Sequence, residues 1–185
     1  MNLEETSIVG ALLIQNKTFN DKRGSFCEVW NQQKFNSELS QDITFVQENW
    51  SHSKKNVLRG LHYQINKPQG KLVRVTNGVV YDVIVDLRKF SPTFKKWFGV
   101  KLSSRNNKLL WVPAGCAHGF SVLSTTADFV YKTTEYWYPE YERTIIWNDN
   151  DLAIDWNIQG TPILSQNDSK GIKLKNAEYY KNKEF

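Results

Sequence analysis

Leu72-Val73-Arg74-Val75-Thr76-Asn77-Gly78-Val79-Val80-Tyr81-Asp82-Val83-Ile84-Val85-Asp86-Leu87 is the stretch that decides the fold. Two runs rich in Val and Ile flank a Thr-Asn-Gly turn. Branched side chains crowd the preceding turn of a helix and suit a pleated, half-buried surface. Asn-Gly tolerates the positive φ of a tight connection, so the pattern predicts a hairpin joining strands 72–75 and 79–87. Working outward, short apolar strands are expected at 11–14, 26–30, 43–47, 97–102, 108–112, 119–123, 127–133 and 144–147. The 26–30 strand follows an Asp21-Lys22-Arg23-Gly24 turn. Helical periodicity is confined to 34–40 and to the segment after Ser165. Many short strands with turn signals predict an all-β sandwich or barrel, one domain over 1–185 with the last ten or so residues as a tail.

The chain has 185 residues and a formal net charge of +5. A basic balance suits nucleic acid, an anionic membrane or a small anion. The one dense cluster is Lys170, Lys173, Lys175, Lys181 and Lys183; acids interrupt it and no nucleic-acid motif accompanies it, so it reads as a solvated tail and nucleic acid is not expected. No apolar run approaches the roughly 18 residues of a membrane span. Cys27 and Cys116 lie far apart, without a Cys-x-x-Cys pair, and the N-terminus shows no secretory signal, so a reduced, cytoplasmic setting is expected. Aromatics make up 14% of the chain, which suits strands and also supplies stacking surfaces for sugars and bases.

The chemistry concentrates in residues 59–71, where Arg59, His62 and Lys71 fall within thirteen residues. They are expected on adjacent strands of one sheet. A base beside fixed positive charge is what abstracting a proton next to a carbonyl requires. Each residue also has a plainer explanation. His62 could be a satisfied core histidine, although it follows Arg59 and stands at the start of an expected strand. Lys71 is either an enolate-stabilising ammonium or a surface lysine beside a turn. A catalytic His needs a carboxylate to fix its tautomer. Asp168 is one candidate, but Ser165-x-x-Asp168 is equally a helix capping box. Arg23 and Arg59, each near a Gly, suit bidentate phosphate recognition or plain solvation. Tyr131 shares a strand face with Phe129 and is either a core aromatic or a general acid.

The three histidines, His52, His62 and His118, raise the question of a metal. Pro113-x-Gly115-x-x-His118 is similar to the second motif of the cupin superfamily, a jelly-roll barrel. Its first motif would supply His-x-His and then a Glu. Here the pair is His62-Tyr63-Gln64, and Lys71 stands where the Glu would be. A cation there repels a divalent metal and one His is too few, so no metal is expected.

Several motifs occur in order. They are Arg59-Gly60-Leu61-His62-Tyr63-Gln64, Gln69-Gly70-Lys71-Leu72-Val73-Arg74, Asp86-Leu87-Arg88, Ser91-Pro92-Thr93-Phe94, Pro113-x-Gly115-x-Ala117-His118-Gly119-Phe120, Tyr131-Lys132-Thr133-Thr134 and Pro162-Ile163-Leu164-Ser165-x-x-Asp168. Together they resemble the dTDP-4-dehydrorhamnose 3,5-epimerase family, over about residues 11–175. The resemblance implies a cupin jelly-roll acting on a dTDP-linked 4-keto-6-deoxyhexose and inverting C3 and C5. It implies His62 as general base, Asp168 as its acidic partner, Tyr131 as proton donor and Lys71 as enolate stabiliser. Arg23, Glu28, Gln47, Glu48, Asn49, Arg59 and His118 match substrate-binding positions, and Phe26, Trp137 and Glu142 further contact positions. It implies no metal or other cofactor, and a homodimer in which residues near the N-terminus reach the partner's site. Two departures stand out. Trp137 occupies a position six residues after the donor where the family usually has tyrosine, and Trp50 stands where a smaller or polar residue is common. The alternatives are an epimerase working at one carbon only or on another nucleotide sugar, a non-catalytic sugar-binding cupin, and a metal-dependent cupin oxygenase.

Overall fold

Period-2 alternation builds thirteen strands among residues 1–182, the part of the chain that the computed structural model describes. In chain order they are β1 (Asn2–Glu5), β2 (Leu12–Gln15), β3 (Thr18–Asp21), β4 (Gly24–Cys27), β5 (Gln47–Lys54), β6 (Leu58–Gln64), β7 (Lys71–Asn77), β8 (Val79–Asp86), β9 (Trp97–Ser103), β10 (Lys108–Val112), β11 (Cys116–Val122), β12 (Thr126–Thr133) and β13 (Glu142–Thr144). Helix α1 (Gln32–Leu39) and the single turn α2 (Gln166–Ser169) complete the regular structure, with two 3₁₀ turns. All ladders between named strands are antiparallel. They form one sheet ordered β1-β2-β10-β7-β12-β5, a second ordered β13-β6-β11-β8-β9, and a separate β3-β4 pair. The two large sheets pack as a sandwich over Leu13, Val73, Val75, Val80, Ile84, Leu110, Phe120 and Phe129.

Each outer face has its own cover. Phe35 of α1, with Trp30 and Phe45, packs on Ile14, Leu72 and Trp111 of the larger sheet. Leu152, Trp156, Leu174 and Tyr180 pack on Leu58, Leu61, Val83 and Val85 of the smaller one. The C-terminal stretch is therefore not a tail up to residue 180, because Leu174, Ala177 and Tyr180 are buried. Lys170, Lys173, Lys175 and Lys181 point outward from it, and Lys183 lies outside the described residues.

The Asn77-Gly78 turn is not a hairpin. β7 pairs with β10 and β12, and β8 pairs with β9 and β11, so the chain passes at this turn from one sheet to the other. Gly78 has φ +81°, and a Cβ there would lie 2.1 Å from the Thr126 carbonyl oxygen. The turn chemistry was legible; whether the two strands pair with each other depends on distant neighbours. Two other expected strands end early or begin late. Glu28–Trp30 and 43–46 are loops whose apolar residues serve as cover for α1 rather than as ladder positions. The strand expected at 144–147 is instead β13, which ends at Thr144.

Two buried features brace the frame. Asp86 accepts bonds from Arg88 Nε (2.8 Å), Ser91 Oγ (2.6 Å) and Thr93 Oγ1 (2.6 Å), so the Asp-Leu-Arg and Ser-Pro-Thr motifs form one polar staple. β6 and β11 touch through glycine: a Cβ on Gly60, at φ +118°, would sit 2.5 Å from Gly119 Cα. The ladder bulges here, because Phe120 faces Arg59 and His118 faces His62. The extra residue on β6 lets Arg59 and His62, three apart, face the same side. Gly60→Ala should therefore cost of order 2–4 kcal/mol through backbone strain and overpacking, seen as a lower urea midpoint.

Candidate active site

The inner faces of the sandwich are apolar apart from buried Lys71, Asp82 and His118 and the edge where β12 and β5 belong to one sheet and β13 and β6 to the other. β5 alternates with its polar residues inward: Gln47, Asn49, Ser51 and Ser53 face in, since Asn49 pairs with inward Tyr131 and Ser51 with inward Phe129. These inward residues stay partly exposed apart from Ser53, so the strand lines an opening between the sheets rather than a closed core. Arg59, His62 and Gln64 line the facing side from β6, with Glu142 and Thr144 of β13 paired beside them.

His62 and Lys71 are on consecutive strands but in different sheets, which corrects the expectation of adjacent strands in one sheet. The His62 imidazole comes from one wall, and Lys71 and Tyr131 from the other.

His62 Nε2 lies 2.6 Å from Asp168 Oδ1, and Asp168 is 2% exposed. The two explanations of Asp168 hold at once. Its backbone N–H donates to Ser165 Oγ (3.0 Å), as a helix cap, and its Oδ2 accepts from the same hydroxyl (2.7 Å). Gly60 N–H donates to Oδ1 as well, at 3.2 Å. Burial alone would raise the Asp168 carboxyl, but the bonds from His62, Ser165 and Gly60 outweigh it and hold it below its ordinary value. A carboxylate on Nε2 keeps the proton there and leaves the Nδ1 lone pair to act as base.

Lys71 is 7% exposed, and burial lowers its ammonium pKa to about 8, against the fields of Glu142 and Asp82. It is a buried cation, not a surface lysine. Tyr131 is pushed above the usual phenol value by burial and by Glu142, with Arg59 opposing. It is thereby kept protonated at neutral pH.

Sequence inspection missed Asp82. It is fully buried on β8, and both its oxygens lie 3.0 Å from His118 Nε2. Burial raises its carboxyl, opposed by His118 and Lys71. Its inward position in the β8 alternation was the only available signal. His118 also stacks on Phe129, at 5.9 Å between centroids. Among the described residues no group of three or more His, Cys, Asp or Glu converges as a metal site would require.

The remaining candidates divide. Gln47 Nε2 donates to Asn49 Oδ1 (2.9 Å), and Arg59 Nε donates to Ser53 Oγ (3.1 Å) across the two sheets. Trp137 is 52% exposed, and its backbone N–H donates to Gln47 Oε1 at 3.0 Å. Glu48 belongs to the opposite face of β5, where it pairs with Lys132; only its backbone is near the inner wall. Trp50 shares that outer face, 66% exposed. Arg23 and Phe26 sit on the β3-β4 pair, outside both large sheets. Arg23 pairs with Asp21, and Phe26 is 70% exposed. Glu28 pairs with Lys34 at 2.7 Å. A separate groove of about 740 Å³, lined by Gln41, Arg88, Trp111 and Thr134 among others, contains neither member of the His62–Asp168 pair.

Residues 5–176 match the dTDP-4-dehydrorhamnose 3,5-epimerase family. The dTDP-4-dehydrorhamnose 3,5-epimerase of Pseudomonas aeruginosa is 49% identical over 97% of this chain and 99% of its own. The dTDP-6-deoxy-D-glucose-3,5-epimerase of Legionella pneumophila, solved with dTDP-4-keto-L-rhamnose, superposes with a TM-score of 0.94 at 43% identity, covering 98% of each chain. A 3′-monoepimerase of Streptomyces bikiniensis, solved with dTDP-quinovose, is 31% identical with a TM-score of 0.87, over 92% of this chain and 86% of that one. The two-sheet sandwich is thus the cupin fold of these enzymes, and the chain belongs to the dTDP-4-dehydrorhamnose 3,5-epimerase family.

Proposed function

We propose that the protein converts dTDP-4-dehydro-6-deoxy-D-glucose to dTDP-4-dehydro-L-rhamnose by inverting C3 and C5. As a family member it is an isomerase of the 3,5-epimerase type acting on a dTDP-4-keto-6-deoxyhexose. The observation that carries the mechanism is the two-wall arrangement: His62 with Asp168 on one side, Tyr131 and Lys71 on the other.

The C4 ketone acidifies the hydrogens on C3 and C5. His62 Nδ1 takes one of them, and the C–H electrons become the C=C of an enolate whose negative charge rests on O4. Lys71, with its ammonium desolvated, stabilises that oxygen. Tyr131 gives its phenolic proton to the carbon from the other face, which inverts the centre. Solvent then takes the proton from His62 and returns one to Tyr131, and the sequence repeats at the second carbon. No electrons leave the substrate and no bond is hydrolysed, so no cofactor enters.

Gln47, Asn49, Arg59, His118, Trp137 and Glu142 hold the substrate. Arg59 takes a diphosphate oxygen, and Glu48 contributes through its backbone. Arg23, Phe26 and Glu28 act in a second copy of the chain within a homodimer. The exposure of Phe19 (52%) and Phe26 on a strand pair outside both large sheets supports that role. The setting is the cytoplasm, where nucleotide sugars are made.

Inversion at one carbon only is the second reading, favoured by the structural likeness to a 3′-monoepimerase and by Trp137 in place of a phenol. Incubating the protein with dTDP-4-dehydro-6-deoxy-D-glucose and reading product ring couplings by NMR separates the two. The L-rhamno product is expected; a 3-epimer alone favours the second reading, and no product overturns both. For Tyr131→Phe, proton exchange at the substrate should survive while inversion falls by roughly 10²-fold or more. Equal loss of both would remove Tyr131 from the donor role.

A further inference from the structure

We infer that Gln64 is a positioning residue that holds the rim segment 136–138, and with it the Trp137 indole, at the mouth of the site. Gln64 is 3% exposed on β6, two residues after the base. A buried amide in an enzyme site invites a ligand contact, but this one is already committed. Its Nε2 donates to the Lys67 carbonyl (2.9 Å) and the Tyr136 carbonyl (3.1 Å), and its Oε1 accepts from the Tyr138 N–H (2.7 Å). Both donors and the acceptor therefore engage backbone groups, which leaves no free donor for a substrate.

Two more glutamines grip the same segment. Gln69 Nε2 donates to the Glu135 carbonyl (3.0 Å), and Gln47 Oε1 accepts from the Trp137 N–H (3.0 Å). Four backbone groups between 135 and 138 thus have amide side chains as partners. The side chains they present, Tyr136 and Trp137, are 53% and 52% exposed, so packing does not hold them. Gln64 alone grips the segment at two points, on either side of Trp137. It also joins the rim to the strand that carries His62, so the stacking surface and the base share one rigid support. Removing the amide would leave the catalytic groups in place and loosen the rim. The expected effect falls on binding rather than on proton transfer.

The inference rests on the epimerase reading for its kinetic arm and is independent of it for its binding arm. In Gln64→Met, of similar length without the amide, KM for dTDP-4-dehydro-6-deoxy-D-glucose should rise about tenfold with kcat within about twofold. Combining it with Trp137→Ala should add little to the KM of Trp137→Ala alone. In the binding arm, dTDP is titrated against tryptophan fluorescence. The part of the quench that Trp137→Ala removes should also be lost, or shifted about tenfold to higher dTDP, in Gln64→Met. Gln64→Glu keeps the volume and the acceptor and sets a carboxylate against two carbonyls, so it should behave the same way if Gln64→Met does not fold. A fall in kcat at unchanged KM, fully additive effects with Trp137→Ala, or an unchanged Trp137 quench would overturn the inference. A wild-type protein that binds dTDP with the Trp137 quench but turns over no substrate would instead fail the epimerase reading and leave the clamp standing.

Discussion

His62→Ala should fold normally and lose about 10³–10⁴-fold in turnover, because it removes the base proposed to take the C3 and C5 protons. The substitution does not open the core, since the imidazole is about one-third exposed at the cavity wall. It does change the acid side of the stability profile. Asp168 has its folded pKa held below the unfolded value, so it contributes stability that is present above pH ~4 and lost as pH falls through the folded value. His62 supplies the leading bond in that depression. Without it the remaining bonds from Ser165 and Gly60 hold the carboxyl less strongly, and acid unfolding should begin at higher pH. Circular dichroism against pH, beside a turnover assay at neutral pH, measures both effects. Full activity would remove the base from His62, and an unchanged acid limb would mean that the bond to Asp168 contributes little.

Lys71→Met should have the opposite balance: turnover falls by about 10²–10³-fold, and the protein becomes more stable. Burial lowers the Lys71 ammonium from 10.5 to about 8, so in the folded state the charge is held against its preference. Below the folded value of about 8 that opposition costs roughly 3 kcal/mol, fading as pH rises toward 10.5, and an apolar side chain of similar length removes it. The same shift sets the pH dependence of the wild-type enzyme. Lys71 carries its charge below about pH 8 and loses it above, so the stabilisation of O4 should fade as pH rises through that value. The wild-type rate should show an alkaline limb near pH 8, and Lys71→Met should lack it. A limb that persists in the variant would belong to another group. A variant less stable than wild type would mean that the field of Asp82 and Glu142 outweighs the desolvation.

Much of this was legible in the chain because local chemistry and tertiary role coincided. The runs at 79–87 and 127–133 are strands, and Ser165-x-x-Asp168 is a cap, whereas the sequence left Lys71 open between a buried cation and a surface lysine. What the residues alone left open depended on groups brought together from far away. Nothing near Asp168 distinguishes a cap from a partner of His62, and it is placed as both because β6 runs past the start of α2. Asn77-Gly78 looks the same whether its strands pair or part, since the neighbours that decide it are β9 to β12. The polar strand β5 escaped notice because its inward residues line a cavity, and a cavity wall lacks the apolar signal that marks a core strand. Asp82 and Gln64 escaped for the same reason. Each is a buried polar residue whose partner lies 36 residues or more away, apart from the Gln64 bond to Lys67.

The central claim is that one base and one donor on opposite walls invert both carbons beside a ketone. Running the reaction with dTDP-4-dehydro-6-deoxy-D-glucose in D₂O and reading the product by NMR tests it most directly. Deuterium at both C3 and C5 of an L-rhamno product is the expected result, with exchange at both positions abolished in His62→Ala. Product formed without deuterium at either carbon, or no exchange at either in the wild-type protein, would contradict it.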